Sequence, residues 1–291
     1  MTSATRASTT VWVLCFAGLL AAPVIAAPID LADLNSAVSL DPNAGGAVNW
    51  TVDGVQNFGQ LWYWLRFDND PEQSIDNLNL TIPPGHPLDD SSFDNGDIRP
   101  DTLTLVYDGS HTGIPYSVEI VLSLSGGDPG SGESLLNQSI TISNNASPGG
   151  GQLDMRFYEY VNFSLADTPA NDSVHLSSDT VGQPVNTARQ WDISQSQAEG
   201  IVTVRPSAVE ADLASTLLTK LNDAAPTVFS NNDTAGPGDV AWVFEWHKAL
   251  DPQNSLVFSE TKRLTIIPAP AAAGLGLIGG LALVARRRRR N

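Results

Sequence analysis

Four histidines and 32 carboxylates are the residues of this chain that could do acid–base or metal chemistry, and its tryptophans could take a ring-shaped ligand. His86, His111, His175 and His247 are isolated from one another in sequence. There is no His-Glu-x-x-His zinc pattern and no Gly-x-Ser-x-Gly nucleophile elbow. Hydrolysis would therefore need paired carboxylates, and a pair such as Glu119 with Glu245 could meet in space. With 32 acids to choose from, any pair picked this way is close to chance, and no catalytic role is expected. No cofactor is expected either, although the sequence leaves room for calcium, which takes several oxygen ligands and tolerates irregular loops. The densest oxygen cluster is Asp89, Asp90, Ser91, Ser92, Asp94, Asn95 and Asp97, with Asp101 after it. It lacks the spacing of an EF-hand loop, and Asp94-Asn95-Gly96-Asp97 is equally good turn chemistry. Trp50, Trp62, Trp64, Trp191, Trp242 and Trp246 could build a sugar-stacking platform. In strands, same-face pairs such as Trp62 with Trp64 and Trp242 with Trp246 are more often the material of a core, and core is the expectation.

The elements that must position these groups read almost wholly as strands. From residue 27 to about 264, short runs of Val, Ile, Leu, Thr and aromatics alternate with Gly, Pro, Asn, Asp and Ser clusters. Leu61–Phe67 is apolar on both faces up to Arg66, which predicts a central strand covered on both sides. Tyr116, Val118, Ile120, Leu122 and Leu124 alternate with Ser117, Glu119, Val121, Ser123 and Ser125, a half-buried strand. Further strands are expected over 102–107, 135–143, 153–166, 172–178, 187–193, 200–205, 240–248 and 256–266. One helix is expected over 207–221, from the spacing of Leu213, Leu217, Leu218 and Leu221, with Ser207 and Glu210 as a capping box. Ten to twelve strands with no linker and no internal repeat predict one all-β body, a β-sandwich of jelly-roll type with one short helix. Two smaller sandwiches divided near Gly149 are the alternative.

Composition narrows the setting. Cys15, the single cysteine, lies in an apolar leader, so the processed chain has no disulfide, thiolate nucleophile or cysteine metal site. Arg6 and the five terminal arginines set aside, nine Lys and Arg face 32 Asp and Glu, a balance of −23. Such a surface repels nucleic acid, which is not expected as a partner.

Both ends read as addresses. Arg6, the apolar run Val11–Leu20 and the small-residue pattern Val24-Ile25-Ala26 read as a signal peptide over 1–26, cut between Ala26 and Ala27. At the other end, Pro268-Ala269-Pro270 leads into an apolar, glycine-rich run that ends in Arg286, Arg287, Arg288, Arg289 and Arg290. Ile266 to Ala285 is 20 residues without a charge. A helix of that length spans about 30 Å, one hydrocarbon core, with the arginines held on the cytoplasmic side. Proline motif, hydrophobic helix and arginine cluster together resemble the PEP-CTERM sorting signal of Gram-negative bacteria, also known as the ice-binding protein C-terminal domain. Ala269 departs from the family's central glutamate. The resemblance covers 265–291 and implies recognition by export machinery and an exosortase-like membrane transpeptidase.

The expectation that follows has three parts: signal peptide 1–26, β-sandwich ectodomain 27–264, and sorting or transmembrane segment 265–291. The protein would be exported to the cell envelope or cell surface with its body on the non-cytoplasmic side. It would be a non-enzymatic surface or matrix protein held through its C-terminal helix. A carbohydrate-binding module that meets extracellular polysaccharide and a glycoside-active enzyme are the alternatives.

Overall fold

The structure is a computed structural model and describes residues 28–81, 88–89 and 99–267. The chain begins with β1 (Ile29–Asp33), β2 (Ser36–Asp41), β3 (Gly46–Val52), β4 (Val55–Gln56) and β5 (Phe58–Phe67). Short strands β6 (Gln73–Ser74), β7 (Asn79–Thr81) and β8 (Leu88–Asp89) lead to β9 (Thr102–His111) and β10 (Ile114–Gly126). Then come β11 (Glu133–Asn144), β12 (Leu153–Phe163), β13 (Asp172–Ser177), β14 (Thr187–Trp191), β15 (Gln197–Val202) and β16 (Ala208–Leu213). Helix α1 (Ala214–Asn222) precedes β17 (Thr234–Gly238), β18 (Val240–Leu250) and β19 (Ser255–Thr265).

These strands form two antiparallel sheets. The first runs β1-β2-β3-β5-β12-β18-β16, and the second runs β17-β13-β14-β15-β19-β11-β10-β9-β7. The all-β expectation holds, with one α-helix among the described residues. Strands from both sides of Gly149 are neighbours in each sheet, such as β5 beside β12 and β11 beside β19, so the body does not divide there. One continuous apolar core joins the sheets. In it Phe157 of β12 and Trp246 of β18 pack on Phe258 of β19, with ring centroids 5.8 and 4.1 Å apart.

Alternation in the sequence places the side chains. In β10 every second residue from Tyr116 to Leu124 is buried, and the interleaved serines and Glu119 point out. The first sheet differs, because its central strands β5 and β12 are buried on both faces, as Leu61–Phe67 predicts. The cover is α1 with the extended segment 223–233 behind it. Asn222 of α1 accepts a hydrogen bond from Trp64 Nε1 at 3.2 Å. Phe229 packs edge-on against Tyr158 at 5.8 Å, and the Thr227 carbonyl accepts from Arg66 Nη1 at 2.8 Å.

The helix expected over 207–221 begins only at Ala214, with Leu213 at its N-cap and no side-chain cap. Residues 208–213 form β16 instead, paired along the edge of β18. The would-be capping Glu210 is buried, ion-paired with Lys220 and accepting from Ser230 N at 2.7 Å. A ladder of main-chain bonds and a buried carboxylate outcompete a helical turn whose cap would stand in water. The other addition is β1 to β4, an Ala- and Ser-rich edge whose periodicity is too weak to read from sequence. Among the described residues no helix is long and apolar enough to cross a membrane.

Candidate functional site

The outer face of the second sheet carries the groups that could meet a ligand. In β14, Arg189 and Trp191 alternate with buried Ala188 and Gln190, so both point outward. Register then builds two rows across the sheet. One runs Ser173, Trp191, Gln197, Thr265, Glu133, and the next runs His175, Arg189, Glu199, Arg263, Leu135. Two adjoining depressions lie over these rows. The first, about 430 Å3, is lined by His175, Arg189, Trp191, Asp192, Gln195 and Gln197. The second, about 350 Å3, is lined by Glu133, Arg189, Gln197, Glu199, Arg263 and Thr265. Arg189 and Gln197 belong to both, so the two form one groove across β13, β14, β15, β19 and β11.

The β14–β15 turn fixes one end of this groove. Asp192 Oδ1 accepts from Ser196 N at 2.8 Å, and both its oxygens accept from Ser194 Oγ. That side chain is buried and its charge is spent inside the turn, which lifts Ile193 to the tip at 85% exposed. Trp191 stands at the foot of the turn, 38% exposed, whereas Trp50, Trp62, Trp64, Trp242 and Trp246 are all buried. Arg189 Nε donates to Gln197 Oε1 at 3.1 Å. Arg263 Nη2 donates to Glu133 Oε1 at 3.1 Å. An exposed indole flanked by amides, a guanidinium and an imidazole can stack a ring and hydrogen-bond its substituents.

A second cluster of ionisable groups lies between the sheets. Lys262 Nζ of β19 donates to Glu159 Oε1 of β12 and to Glu260 Oε2, each at 2.6 Å. Gln138 Nε2 donates to Glu260 Oε2 at 2.7 Å and also to Glu159 Oε1, and the Gln138 amide oxygen accepts from Tyr63 at 2.8 Å. Burial opposes ionisation of Glu159, but the Lys262 ammonium and hydrogen bonds from Glu260, Lys262 and Gln138 outweigh it and hold its carboxyl below the ordinary range. Burial pushes the Glu260 carboxyl well up, and the neighbouring Glu159 charge adds to this. Two carboxyls therefore share one proton and one ammonium. Lys262, Glu159 and Glu260 are closed to solvent, so this network ties the sheets together and is not a ligand site.

The sequence-derived candidates fare unevenly. Glu119 points out from the second sheet, while Glu245 is buried in the first sheet beside Arg156, so that pair does not form. His111 stacks on Phe67 at 4.7 Å and meets Asp68 at 3.1 Å, and His247 meets Asp154 at 2.6 Å. Of the described histidines only His175 lines the groove. His86, the oxygen-rich stretch 90–97, the leader with Ala26 and Ala27, and Pro268, Ala269, Pro270 and Arg286 to Arg290 lie outside the described residues. Asp101 is buried at the start of β9, and its carbonyl accepts from Leu124 N at 2.8 Å. No group of three or more His, Cys, Asp or Glu among the described residues could hold a metal. Five of the six tryptophans are core, and Trp191 alone fits the platform reading. Arg189 and Gln197 went unread, although outward parity with Trp191 was the available signal. So did Lys262 and Glu260, which sit at the buried parity of Phe258 and Leu264.

No family model matches the chain, and no curated protein does. Among solved structures it is similar to a putative aldose 1-epimerase from Escherichia coli, at 10% identity and TM-score 0.47, over 82% of this chain and 99% of that one. A galactose mutarotase-like protein from Lactobacillus casei matches at 6% identity and TM-score 0.46, over 81% and 99%. A bacterial glucoamylase in complex with acarbose matches at 8% and 0.49, over 84% of this chain and 32% of that one. The names these neighbours carry run against the expectation of a non-enzymatic anchor protein without a catalytic role, which is withdrawn. No residue correspondence is taken from them, and the groove stands on its own geometry.

Proposed function

We propose that this protein recognises a saccharide in the groove on the outer face of the second sheet. The observation that carries the reading is Trp191. It is the only body tryptophan left open, and it stands in a depression of about 430 Å3 walled by Arg189, His175, Gln195 and Gln197. A pyranose presents an apolar C–H face to an indole and a ring of hydroxyls to side-chain amides, which is the complement of this wall. A glycan array probed with the purified protein tests it. Binding to at least one glycan family, weakened by Trp191→Ala, is the expected outcome, and silence across the array retires the reading.

A glycoside-active enzyme is the second reading, favoured by Glu133 and Glu199 lining the adjoining depression of about 350 Å3 together. Such a pair could act as acid and base across a scissile bond. Release of shorter products from the bound glycan, lost in Glu199→Gln, would establish turnover.

The setting proposed is outside the cell. The signal-peptide pattern and the PEP-CTERM-like tail support export, with a membrane helix in the tail, an exosortase-like transpeptidase as partner and extracellular polysaccharide as ligand. Sandwich topology of jelly-roll type belongs to the same proposal.

A further inference from the structure

We infer that the saccharide taken by this groove is acidic, a uronic acid whose carboxylate is held by Arg189. The inference rests on the saccharide reading and specifies it.

Arg189 and Lys248 have no ion pair among the described residues, and of the two only Arg189 lines the groove. The chain carries 32 acids against 15 Lys and Arg, so carboxylates are abundant for any cation. Arg66, Arg156, Arg205, Lys220, Lys262 and Arg263 each hold a carboxylate. Arg189 is exposed, and its nitrogens go to the neutral amide oxygen of Gln197. No carboxylate pairs with it among the described residues, although register sets Glu199 beside it. Glu133, the other acid of the groove, is taken by Arg263, and Asp192 is folded into its own turn. The guanidinium is left with free donors at the point where the two depressions join.

Its spacing from Trp191 suits one sugar. Residues two apart on a strand face the same way about 6.8 Å apart. A pyranose stacked on Trp191 would carry its C5 substituent toward Arg189, and a carboxylate there accepts two parallel N–H bonds. Gln197, opposite Trp191 in register, keeps the guanidinium plane fixed through its amide oxygen and leaves its own amide nitrogen for a hydroxyl. The strongly acidic surface repels anions at long range, so retention of an acidic sugar would have to come from this contact. A neutral sugar would offer the guanidinium only uncharged oxygen acceptors, with no charge to pair.

Titration calorimetry with tetragalacturonate and its fully methyl-esterified counterpart tests this, because the two differ only at the carboxyl groups, which the ester leaves uncharged. The acid form is expected to bind at least tenfold more tightly, with the advantage shrinking as salt rises. Arg189→Gln should erase that advantage, bringing the acid form down to the affinity of the ester, and Arg189→Lys should retain part of it. Arg189 is exposed, and an unchanged melting temperature verifies that both variants fold. Equal binding of acid and ester keeps the saccharide reading and overturns the acidic one. Preference for the acid that survives Arg189→Gln overturns the role of Arg189. Absence of binding by both ligands overturns the uronate inference, and the glycan array then decides separately whether any saccharide is bound.

Discussion

Replacing Lys262 with methionine should destabilise the protein far more than replacing Glu260 with glutamine. Lys262 is wholly buried and donates to Glu159 and Glu260 at 2.6 Å each. Methionine fills the same space but leaves two carboxyls facing each other with no cation. Breaking a buried pair from one side costs about 3–5 kcal/mol. For a domain of this size each kcal/mol lowers the melting temperature by about 2–4 °C, so the loss should be roughly 6–20 °C. Burial and the Glu159 charge push the Glu260 carboxyl well up, so it holds a proton more readily than an ordinary carboxyl. Glutamine keeps a donor toward Glu159 and should cost about 1 kcal/mol, the worth of an ordinary hydrogen bond. The pH dependence separates the variants again. A carboxyl raised in the folded state binds a proton that the unfolded chain releases above its ordinary value of 4.5. Its contribution is present below that value and is lost as pH rises toward the folded pKa, and Glu260→Gln should remove this fall. Urea unfolding followed by circular dichroism from pH 4 to 9 reads both effects. Equal destabilisation by the two variants, or a Lys262→Met loss within about 1 kcal/mol of wild type, would refute the shared-proton arrangement.

Other outcomes follow from single residues. Burial pushes the Asp172 carboxyl up to about 7 despite hydrogen bonds from Leu165 N and Gln190. Its stabilising contribution should therefore fall between pH 3.8 and about 7, and Asp172→Asn should flatten the unfolding midpoint across that window. Gly46 has φ +86°, and a Cβ there would lie 2.0 Å from Trp62 Cε3 and 2.3 Å from the Leu61 carbonyl. Gly46→Ala should lower stability by about 3 kcal/mol or prevent folding, measured as soluble yield and melting temperature. Trp191→Ala should weaken glycan binding by about 2 kcal/mol, roughly thirtyfold, without moving the melting temperature. Mass spectrometry of the protein from its own cell should find an N-terminus at Ala27 and no Arg286 to Arg290, whereas a retained arginine cluster would mean a permanent anchor.

The sequence revealed the elements better than the site. Strands such as β10 and β18 were legible because one face is buried and period-2 alternation is strong. Residues 208–213 misled because leucine spacing in α1 runs on into them, and only the edge of β18 decides their pairing. The groove was hard to see because it is assembled across strands far apart in the chain, with Glu133 on β11 and Gln197 on β15 meeting through β19. Trp191 stood among six candidate tryptophans, and which of them is open depends on the turn at Asp192, not on composition. The Glu159–Lys262–Glu260 network was missed because charged residues at core parity make sense only once the opposing sheet supplies the counter-charge.

Trp191 itself reports most directly on the central claim. In the processed protein the other five body tryptophans are buried, so acrylamide quenching of fluorescence reads Trp191. Saturating uronic-acid oligosaccharide should shield it and reduce quenching, and the shielding should vanish in Trp191→Phe. Quenching that no saccharide in a broad panel alters would contradict the account.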